Sequence, residues 1–242
     1  MAMQIEKEID LKNHSEENRK KLILDISHDL KNPLASIMGY AELCYNKSDL
    51  PKEEQDKYMK VIYDNSLRAN NLIVDLFELS KLESSEYSIN KTQVDICEYL
   101  RKAMGSFITT FDRYGFSYDF DIPETEIITQ IDSEQMDRVF QNLVTNTVKY
   151  NPINTKVIIR LFEQDNQIEI VFKDDGIGIP SEFAARIFHP FERVDITRNS
   201  QIGGTGLGLA IVEKIIDAHN GNISLITDEN AGCEFKIKIP KI

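Results

Sequence analysis

The chain has 242 residues, which is enough for one or two domains, and 41% of them are hydrophobic, which is enough for a folded core. A formal net charge of −12 at pH 7 argues against nucleic-acid binding, because such proteins usually carry a basic surface. The sequence contains no apolar run of membrane-spanning length and no signal peptide in its charged N-terminal segment. Cys44, Cys97 and Cys233 are odd in number and lack metal-ligand spacing, so we expect reduced thiols in a cytoplasmic protein.

A charged, solvated helix is predicted at about Gln4–Lys21, and it leads into a first long helix that runs through His28 to about Tyr45. Its apolar positions recur every three or four residues and form one buried stripe, made of Leu22, Ile26, Leu30, Pro33 and Ile37. His28 falls on the opposite face, with Asp29 beside it and Asn32 one turn later. Pro33 removes the donor that the Asp29 carbonyl would use, so the helix should kink or loosen there. An exposed imidazole beside a carboxylate suits a reactive nucleophile, although a single histidine of this kind is more often an ordinary surface residue.

A second helix is predicted after the turn residues 46–49 and Pro51. Its apolar seam alternates spacings of four and three, at Tyr58, Ile62, Asn65, Ala69, Leu72, Leu76 and Leu79. A single hairpin cannot bury two such long stripes, so we expect two hairpins to pair as a four-helix bundle in a homodimer. Asn65 either fixes the register of this seam or is tolerated at a wet position.

A polar hinge at Ser84–Asn90 precedes a second region in which helices and strands alternate. Helices are predicted at Val94 to about Phe111, Asp132 to about Tyr150, and Gly206 to His219. Strands are predicted at Phe116–Phe120, Ile127–Ile131, Lys156–Phe162, Ile168–Phe172, Asn222–Thr227 and Cys233–Ile239. This order favours a two-layer α/β sandwich with mostly antiparallel strands.

The predicted helix that ends at Tyr150 has one polar face, formed by Asn142, Asn146, Lys149 and Tyr150. Side-chain amides cannot match carboxylates in binding a bare metal ion, but they suit Mg²⁺ that phosphates already carry. These residues alone are also compatible with an ordinary polar helix face.

Two glycine-rich stretches follow, Asp174-Asp175-Gly176-Ile177-Gly178-Ile179 and Gly204-Thr205-Gly206-Leu207-Gly208-Leu209. The first follows a strand, where a carboxylate can accept hydrogen bonds and glycines let the backbone approach a ligand. The second opens a helix, whose N-terminal amides can bind phosphate. Neither stretch fits a Walker loop or a dinucleotide fingerprint, and the first taken alone would suit an ordinary turn.

In this order, His28 and the three motifs after it resemble the sensor histidine kinases of two-component systems, from about His28 to the C-terminus. The resemblance implies an α+β chain whose second region has the ATP-binding fold shared by histidine kinases, gyrase and MutL. The implied organisation is a signalling-helix remnant (1–21), a dimerisation and histidine phosphotransfer domain (22–83), a hinge (84–92) and a catalytic ATP-binding domain (93–242).

The resemblance implies that His28 accepts the phosphoryl group, that Asp29 orients or deprotonates it, and that Asn32 serves phosphatase activity toward the regulator. Asn146 would ligate Mg²⁺, Lys149 and Tyr150 would contact phosphate and flank the purine, and Asp174 would read adenine N6. The implied ATP contacts are Asn142, Asn146, Lys149, Tyr150, Asp174, Gly176, Gly178, Ile179, Arg193, Gly204, Thr205, Gly206, Leu207 and Gly208.

The sequence departs from the family pattern at two positions, because Thr147 stands where alanine is usual and His189 where an acidic residue is usual. Residues Asp195–Ser200 are polar and are expected to form a lid over ATP.

The expected function is an ATP-dependent protein-histidine kinase that passes its phosphoryl group to an aspartate of a response regulator. One alternative is an ATPase clamp of the gyrase and MutL type, which carries a glutamate one turn before the metal-binding asparagine. Asn142 stands at that position and cannot act as a base. The other alternative is a catalytically silent nucleotide-binding scaffold. We expect a cytoplasmic location, either of the whole protein or of the cytoplasmic portion of a membrane-anchored sensor.

Overall fold

A computed structural model of the protein describes residues 2–47, 50–84, 87–192 and 204–241, with side chains described from Leu24 onward. The chain divides into two compact units that meet between Phe77 and Glu78. The division falls inside the second long helix, before the segment Ser84–Asn90 predicted as a hinge, and the predicted domain limits stay predictions. No helix in the described part of the chain is long and apolar enough to span a membrane.

The first unit is a helical hairpin. Helix α1 spans Ala2–Asn46 and α2 spans Lys52–Leu82, whose last residues belong to the second unit. The carbonyl of Pro51 accepts the amides of Glu54 and Gln55, each at 3.0 Å, and so closes the first turn of α2. The stripe predicted on α1 is buried or half-buried at Ile26, Leu30, Pro33 and Ile37. The α2 seam is also buried or half-buried throughout, and the rings of Tyr40 and Tyr58, 5.2 Å apart, join the two helices.

The polar member of the α2 seam is satisfied within its own helix. The Asn65 amide nitrogen donates to the carbonyl of Val61 at 2.8 Å. A half-buried amide with a backbone partner loses little on leaving water. This contact explains how the apolar seam tolerates Asn65.

Both helices of the hairpin carry a second apolar stripe, which remains exposed. On α1 it comprises Leu24, Leu34, Met38 and Tyr45, and on α2 it comprises Met59, Tyr63, Leu67, Ile73, Val74 and Phe77. Met38 and Phe77 are each 72% exposed. Exposed apolar residues on one face of each helix are typical of a contact site.

The second unit is a two-layer α/β sandwich, which confirms the predicted fold class. Its helices are α3 (Ile96–Tyr114), α4 (Ser133–Tyr150) and α5 (Gly208–Ala218). Its strands are β1 (Thr92–Asp95), β2 (Ser117–Asp121), β3 (Ile128–Ile131), β4 (Lys156–Gln164), β5 (Gln167–Asp174), β6 (Asn222–Thr227) and β7 (Cys233–Pro240). A short 3-10 helix spans Ser181–Phe183.

The main sheet has five strands in the order β2-β4-β5-β7-β6, and only the β2–β4 pair is parallel. Strands β1 and β3 form a separate antiparallel pair. Alternate residues of β4, β5 and β7 are buried and meet the buried sides of the three helices. The resulting core includes Phe111, Phe140, Phe172, Leu100, Met104 and Ile159, all with essentially no exposed surface.

Two predicted helix starts are wrong. The helix expected from Val94 begins at Ile96, because Thr92–Asp95 is a strand and Asp95 caps α3 by accepting the Cys97 amide at 3.1 Å. The helix expected from Gly206 begins at Gly208, because Gly206 has φ +72°, outside the right-handed helical region.

The N-terminal end of α4 anchors the chain that leads into the second unit. Asp132 caps α4 by accepting the Gln135 amide at 3.2 Å, and its other oxygen accepts the Asn90 amide at 2.8 Å. Arg138 pairs with Glu78 at the end of α2, and the Lys81 ammonium lies 4.8 Å from the Tyr87 ring centre. The last turn of α2 and the linker therefore pack within the second unit.

A buried histidine joins α4 to α5. The amide of Asp132 donates to His219 Nε2 at 2.9 Å, and His219 Nδ1 lies 2.7 Å from the carbonyl of Ile215. Only the neutral ring with its proton on Nδ1 satisfies both contacts. Burial lowers the pKa of His219 below its usual value, which agrees with this assignment.

Candidate functional site

His28 lies on the outer face of α1 with 75% of its side chain exposed, as its position relative to the buried stripe predicted. Its Nδ1 is 3.3 Å from Oδ1 of Asp29, whose side chain is only 20% exposed. A neutral ring that donates from Nδ1 to this carboxylate carries its free lone pair on Nε2. Asn32 is exposed one turn later, and the neighbouring Pro33 is buried. The outer nitrogen of His28 is therefore the one available to react.

The polar face of α4 carries four of the predicted nucleotide residues, Asn142, Asn146, Lys149 and Tyr150, all half-buried. The Asn142 amide nitrogen donates to the carbonyl of Arg138 at 3.1 Å, which leaves its oxygen as the outward atom. The Lys149 ammonium lies 4.9 Å from the centre of the Tyr150 ring. Leu143 and Val144 are buried on the opposite side, so the helix separates core from site.

The second glycine-rich stretch lies directly against this face. A Cβ atom added to Gly204 would lie 2.7 Å from the Tyr150 hydroxyl and 2.8 Å from Lys149 Nζ. One added to Gly208 would lie 2.8 Å from Oδ1 of Asn142. The fold therefore brings together two motifs that are far apart in sequence, and glycine is needed where they touch.

The N-terminus of α5 adds anion-binding capacity at the same place. No side chain in the described part of the chain caps α5, which starts after Leu207. Thr205 Oγ1 accepts the Leu207 amide at 3.3 Å, and the carbonyl of Gly206 accepts the amide of Phe191 at 2.9 Å. Uncapped amides at a helix N-terminus, together with the helix dipole, suit a phosphate group.

Asp174 ends β5 with only 2% of its surface exposed. Its Oδ1 accepts the amides of Gly176 at 3.0 Å and Cys233 at 3.3 Å. Burial raises the pKa of this carboxyl above its usual value, while these two backbone hydrogen bonds act in the opposite direction. A buried carboxylate with its position set in this way can recognise a donor such as an exocyclic amine.

The glycines after Asp174 pack against protein groups. A Cβ atom on Gly176 would lie 1.9 Å from Oδ1 of Asn151, and one on Gly178 would lie 1.9 Å from the carbonyl of Asp228. Gly178 also has φ +68°, a conformation that favours glycine. The Ile179 amide donates to Thr227 Oγ1 at 2.8 Å. A side chain at either glycine would therefore collide with neighbouring protein groups.

Two residues that shape the site were missed by sequence reasoning. Asn151 reaches across to the loop after β5, and Thr227 ties Ile179 to the carbonyl of Gly232, 2.8 Å from its hydroxyl. An asparagine at a helix end before a proline is a common cap, so nothing local distinguished Asn151.

The two residues that depart from the family pattern lie in different surroundings. Thr147 is buried with 3% exposure, on the core side of α4, and His189 is exposed. Arg193 and the expected lid Asp195–Ser200 lie outside the described residues.

The residues at this site fit a metal ion only as the companion of phosphates. No group of three or more His, Cys, Asp or Glu side chains within the described ranges can hold a metal ion. Asn146 offers a half-buried amide on the face beside Lys149 and the N-terminus of α5. An amide oxygen is an acceptable ligand for Mg²⁺ whose other ligands are phosphate oxygens and water.

Two family models match the chain. Residues 18–85 match the His Kinase A (phospho-acceptor) domain, and residues 131–242 match the histidine kinase-, DNA gyrase B- and HSP90-like ATPase domain. The first match contains His28 and the second contains both glycine-rich stretches.

The chain is 34% identical over 232 residues to the sensor protein kinase WalK of Staphylococcus aureus, which covers 93% of this chain. It spans 54% of one WalK sequence and 37% of those from other strains, so it covers about half or less of these curated relatives. The solved histidine kinase AdeS of Acinetobacter baumannii has a similar fold, with TM-score 0.70 and 23% identity over 88% of this chain and 98% of that one. Histidine kinase ThkA in complex with the response regulator TrrA has TM-score 0.72 and 23% identity, over 95% of this chain and 66% of that one.

Proposed function

We propose that this chain, which belongs to the sensor histidine kinases of two-component systems, uses ATP to phosphorylate His28 and passes that phosphoryl group to an aspartate of a response regulator. The observation that carries the proposal is the exposed His28 ring, held by Asp29, in the same chain as a site of convergent nucleotide-binding features. A phosphoacceptor and an ATPase-type domain in one chain suit self-phosphorylation.

In this reaction Asp29 accepts the Nδ1 proton of His28 in a hydrogen bond and makes Nε2 the stronger nucleophile. Nε2 forms a bond to the γ-phosphorus of ATP while the bond from that phosphorus to the β,γ-bridging oxygen breaks and ADP leaves. The protein contributes mainly positioning and charge neutralisation, because phosphoryl transfer needs little covalent help.

ATP is the nucleotide that the ATPase-domain match supports. Asp174 accepts a hydrogen bond from the exocyclic amine of adenine, and Tyr150 flanks the adenine ring. Lys149, Thr205 and the N-terminus of α5 bind the phosphates. The remaining contacts of the proposed pocket are Asn142, Gly176, Gly178, Ile179, Arg193, Gly204, Gly206, Leu207 and Gly208.

Asn146 is the proposed protein ligand of Mg²⁺. Asn146 would hold Mg²⁺ beside the phosphates, where the ion would supply positive charge against the charge that develops during transfer. An amide suits this position because a carboxylate would add negative charge beside the phosphates.

The proposed quaternary state is a homodimer formed by pairing of the hairpins. Its support is the exposed second apolar stripe on α1 and α2, which includes Met38 and Phe77. A second hairpin with the same stripes would bury this surface and complete a four-helix bundle.

Asn32 is the proposed phosphatase residue, because it lies exposed one turn beyond His28, where its amide can position a water against the regulator's phosphoaspartate. The response regulator as partner follows from family membership. A cytoplasmic location remains part of the proposal, supported by free thiols at Cys44, Cys97 and Cys233.

An ATPase clamp of the gyrase and MutL type is not favoured. The residue one turn before Asn146 is Asn142, whose side-chain nitrogen donates a hydrogen bond to the carbonyl of Arg138. A side-chain amide cannot activate water as a base. A silent scaffold is not favoured either, because His28 and the nucleotide motifs are all present.

The decisive experiment is incubation with γ-labelled ATP and Mg²⁺, followed by acid and alkali treatment of the labelled protein. The expected label is lost in acid and stable in alkali, as a phosphoramidate is, and maps to His28. A base-labile, acid-stable label, or label on another residue, would contradict the proposal.

A further inference from the structure

Thr227 is the last residue of β6, and its hydroxyl lies where the loop after β5 meets the turn between β6 and β7. Thr227 Oγ1 accepts the amide of Ile179 at 2.8 Å. Two carbonyl oxygens are close to the same hydroxyl, that of Gly232 at 2.8 Å and that of Ile179 at 3.3 Å. A hydroxyl has one proton, so we assign that proton to the shorter contact, with Gly232. One side chain thus joins the loop to the turn through an accepted and a donated hydrogen bond.

The place of Thr227 in the sheet shows how far the loop after β5 travels. Asp174 and Thr227 both pair with Cys233, from the two opposite sides of β7. Because neighbouring strands lie about 4.8 Å apart, Asp174 and Thr227 stand roughly 10 Å apart across the end of the sheet. The loop that begins at Asp174 therefore crosses the end of β7 before Ile179 reaches Thr227.

The turn between β6 and β7 supports this crossing loop from below. The carbonyl of Ile177 accepts the amide of Asn230 at 2.6 Å. A Cβ atom on Gly232 would lie 2.0 Å from the carbonyl oxygen of Asp174. The backbones of the loop and the turn are therefore in direct contact, with no room for a side chain at Gly232.

The loop is tied to the end of the sheet at both of its own ends. At its start, the carboxylate of Asp174 accepts the amide of Cys233 at 3.3 Å, and at its finish Ile179 is bonded to Thr227. Gly176 and Gly178 lie between the two ties. Glycine has the greatest backbone freedom of any residue, so a segment of this composition needs both ties to keep one conformation.

We propose that Thr227 is a positioning residue that holds residues 175–179 in their nucleotide-binding conformation before the nucleotide arrives, and that its hydroxyl thereby raises the affinity of the site for ATP and ADP. This rests on the proposed role of Asp174 and the loop after it in nucleotide binding. A nucleotide that finds the loop in place in only a fraction of the free molecules binds more weakly by that fraction. The effect falls on binding rather than on the rate of transfer, because the reacting phosphates are assigned to Lys149 and the N-terminus of α5.

The test removes the hydroxyl and keeps the branched shape of the side chain. Thr227→Val can neither accept the amide of Ile179 nor donate to Gly232. We expect the dissociation constant of ADP with Mg²⁺, measured on the full chain by calorimetry, to rise about tenfold, as it would if one free molecule in ten kept the loop in place. The KM for ATP in phosphorylation of His28 should rise by a similar factor, with kcat close to that of the parent. Thr227→Ser keeps the hydroxyl and should retain the affinity of the parent.

The matched control is Thr129→Val. Thr129 is buried, and its hydroxyl donates to the carbonyl of Pro240 at 2.9 Å, at the other end of β7 from Cys233. The change removes the same kind of hydrogen bond away from the loop. It should lower the melting temperature and leave the ADP dissociation constant unchanged.

Hydrogen exchange supplies a test that needs no variant. The amide of Ile179 in the nucleotide-free parent should exchange slowly, because Thr227 already holds it. Exchange of this amide at the rate of an exposed loop would overturn the proposal.

Affinity and stability together separate this role from a merely structural one. A folded Thr227→Val chain with a lowered melting temperature and the parental ADP affinity would overturn the proposal, as would an equal loss of affinity in Thr227→Ser. A parent chain that binds no ADP would overturn the nucleotide site and the role of Thr227 with it. A parent chain that binds ADP and leaves His28 unlabelled would overturn the proposed kinase reaction, and the ADP affinities of the variants would still decide the role of Thr227.

Discussion

The hairpin and the α/β unit differ in how far their large apolar side chains are buried. In the hairpin, large side chains such as Met38, Tyr45 and Phe77 remain exposed, and full burial is confined to a few positions such as Ala69 and Leu72. In the α/β unit, helices and sheet bury complete sets of residues, including Phe111, Phe140 and Phe172. The α/β unit therefore has a core of its own, whereas the hairpin needs a second surface to complete one.

The largest expected effect tests whether the two units are functionally separate. His28→Gln should reduce phosphate incorporation by roughly 10³-fold or more, because the glutamine amide is not a competent nucleophile. His28 is largely exposed, so the change should affect stability little and leave ATP affinity unchanged.

Incorporation from γ-labelled ATP and calorimetric ATP affinity are measured together, with His189→Gln as the control at another exposed histidine. Residual label at a different residue would remove His28 as the phosphoacceptor. A loss of ATP affinity would show that nucleotide binding by the α/β unit depends on the hairpin.

The reciprocal change is made in the α/β unit. Asn146→Asp places a carboxylate among phosphates and alters Mg²⁺ coordination, so self-phosphorylation should slow by about 10²-fold while the dimer persists. Gln141→Glu adds the same charge on the exposed side of α4 and should leave the rate near that of the parent. A parental rate with the parental Mg²⁺ dependence in Asn146→Asp would show that this residue is not a metal ligand.

A third change tests whether the exposed apolar stripe of the hairpin forms the dimer interface. Met38→Glu on α1 should raise the dimer dissociation constant about 100-fold or more, because an unpaired carboxylate is costly in a buried interface. Ile226→Glu, at a residue of β6 that is 57% exposed, should leave the mass in light scattering unchanged. A parent chain that is already monomeric at micromolar concentration would refute the homodimer.

The smallest expected effect concerns pH and the α/β unit alone. Burial lowers the pKa of His219 below its usual value of 6.5, so below that pH the unfolded chain binds a proton that the folded chain excludes. The free energy of unfolding should therefore fall as the pH is lowered from about 6.5 toward the folded pKa.

Urea unfolding between pH 8 and pH 5 measures this slope. His219→Gln can keep an acceptor for the Asp132 amide without titrating, so its pH dependence should be flatter. An identical slope in the variant and the parent would assign the pH dependence to other groups.

Local patterns were sufficient for most of the secondary structure. The stripes of α1 and α2 and the alternation of β4 to β7 are set by neighbouring residues, and periodicity reports them directly. The strand β1 was missed because its four residues are too few for a pattern and pair with β3, a partner distant in sequence. Gly206 was placed inside a helix because its left-handed backbone depends on the loop contact with Phe191.

The chemical inventory of the proposed site was readable from residue types and spacing, since His28 with Asp29, the polar face of α4 and the glycine-rich stretches are each contiguous along the chain. Their arrangement depended on folding. Asn151 meets Ile177 across 26 positions, and Asp174 meets Cys233 across 59, because β5 pairs with β7 and α4 ends beside the loop that follows β5. Such contacts are set by sheet register and helix packing, which act over the whole unit and leave no local trace in the sequence.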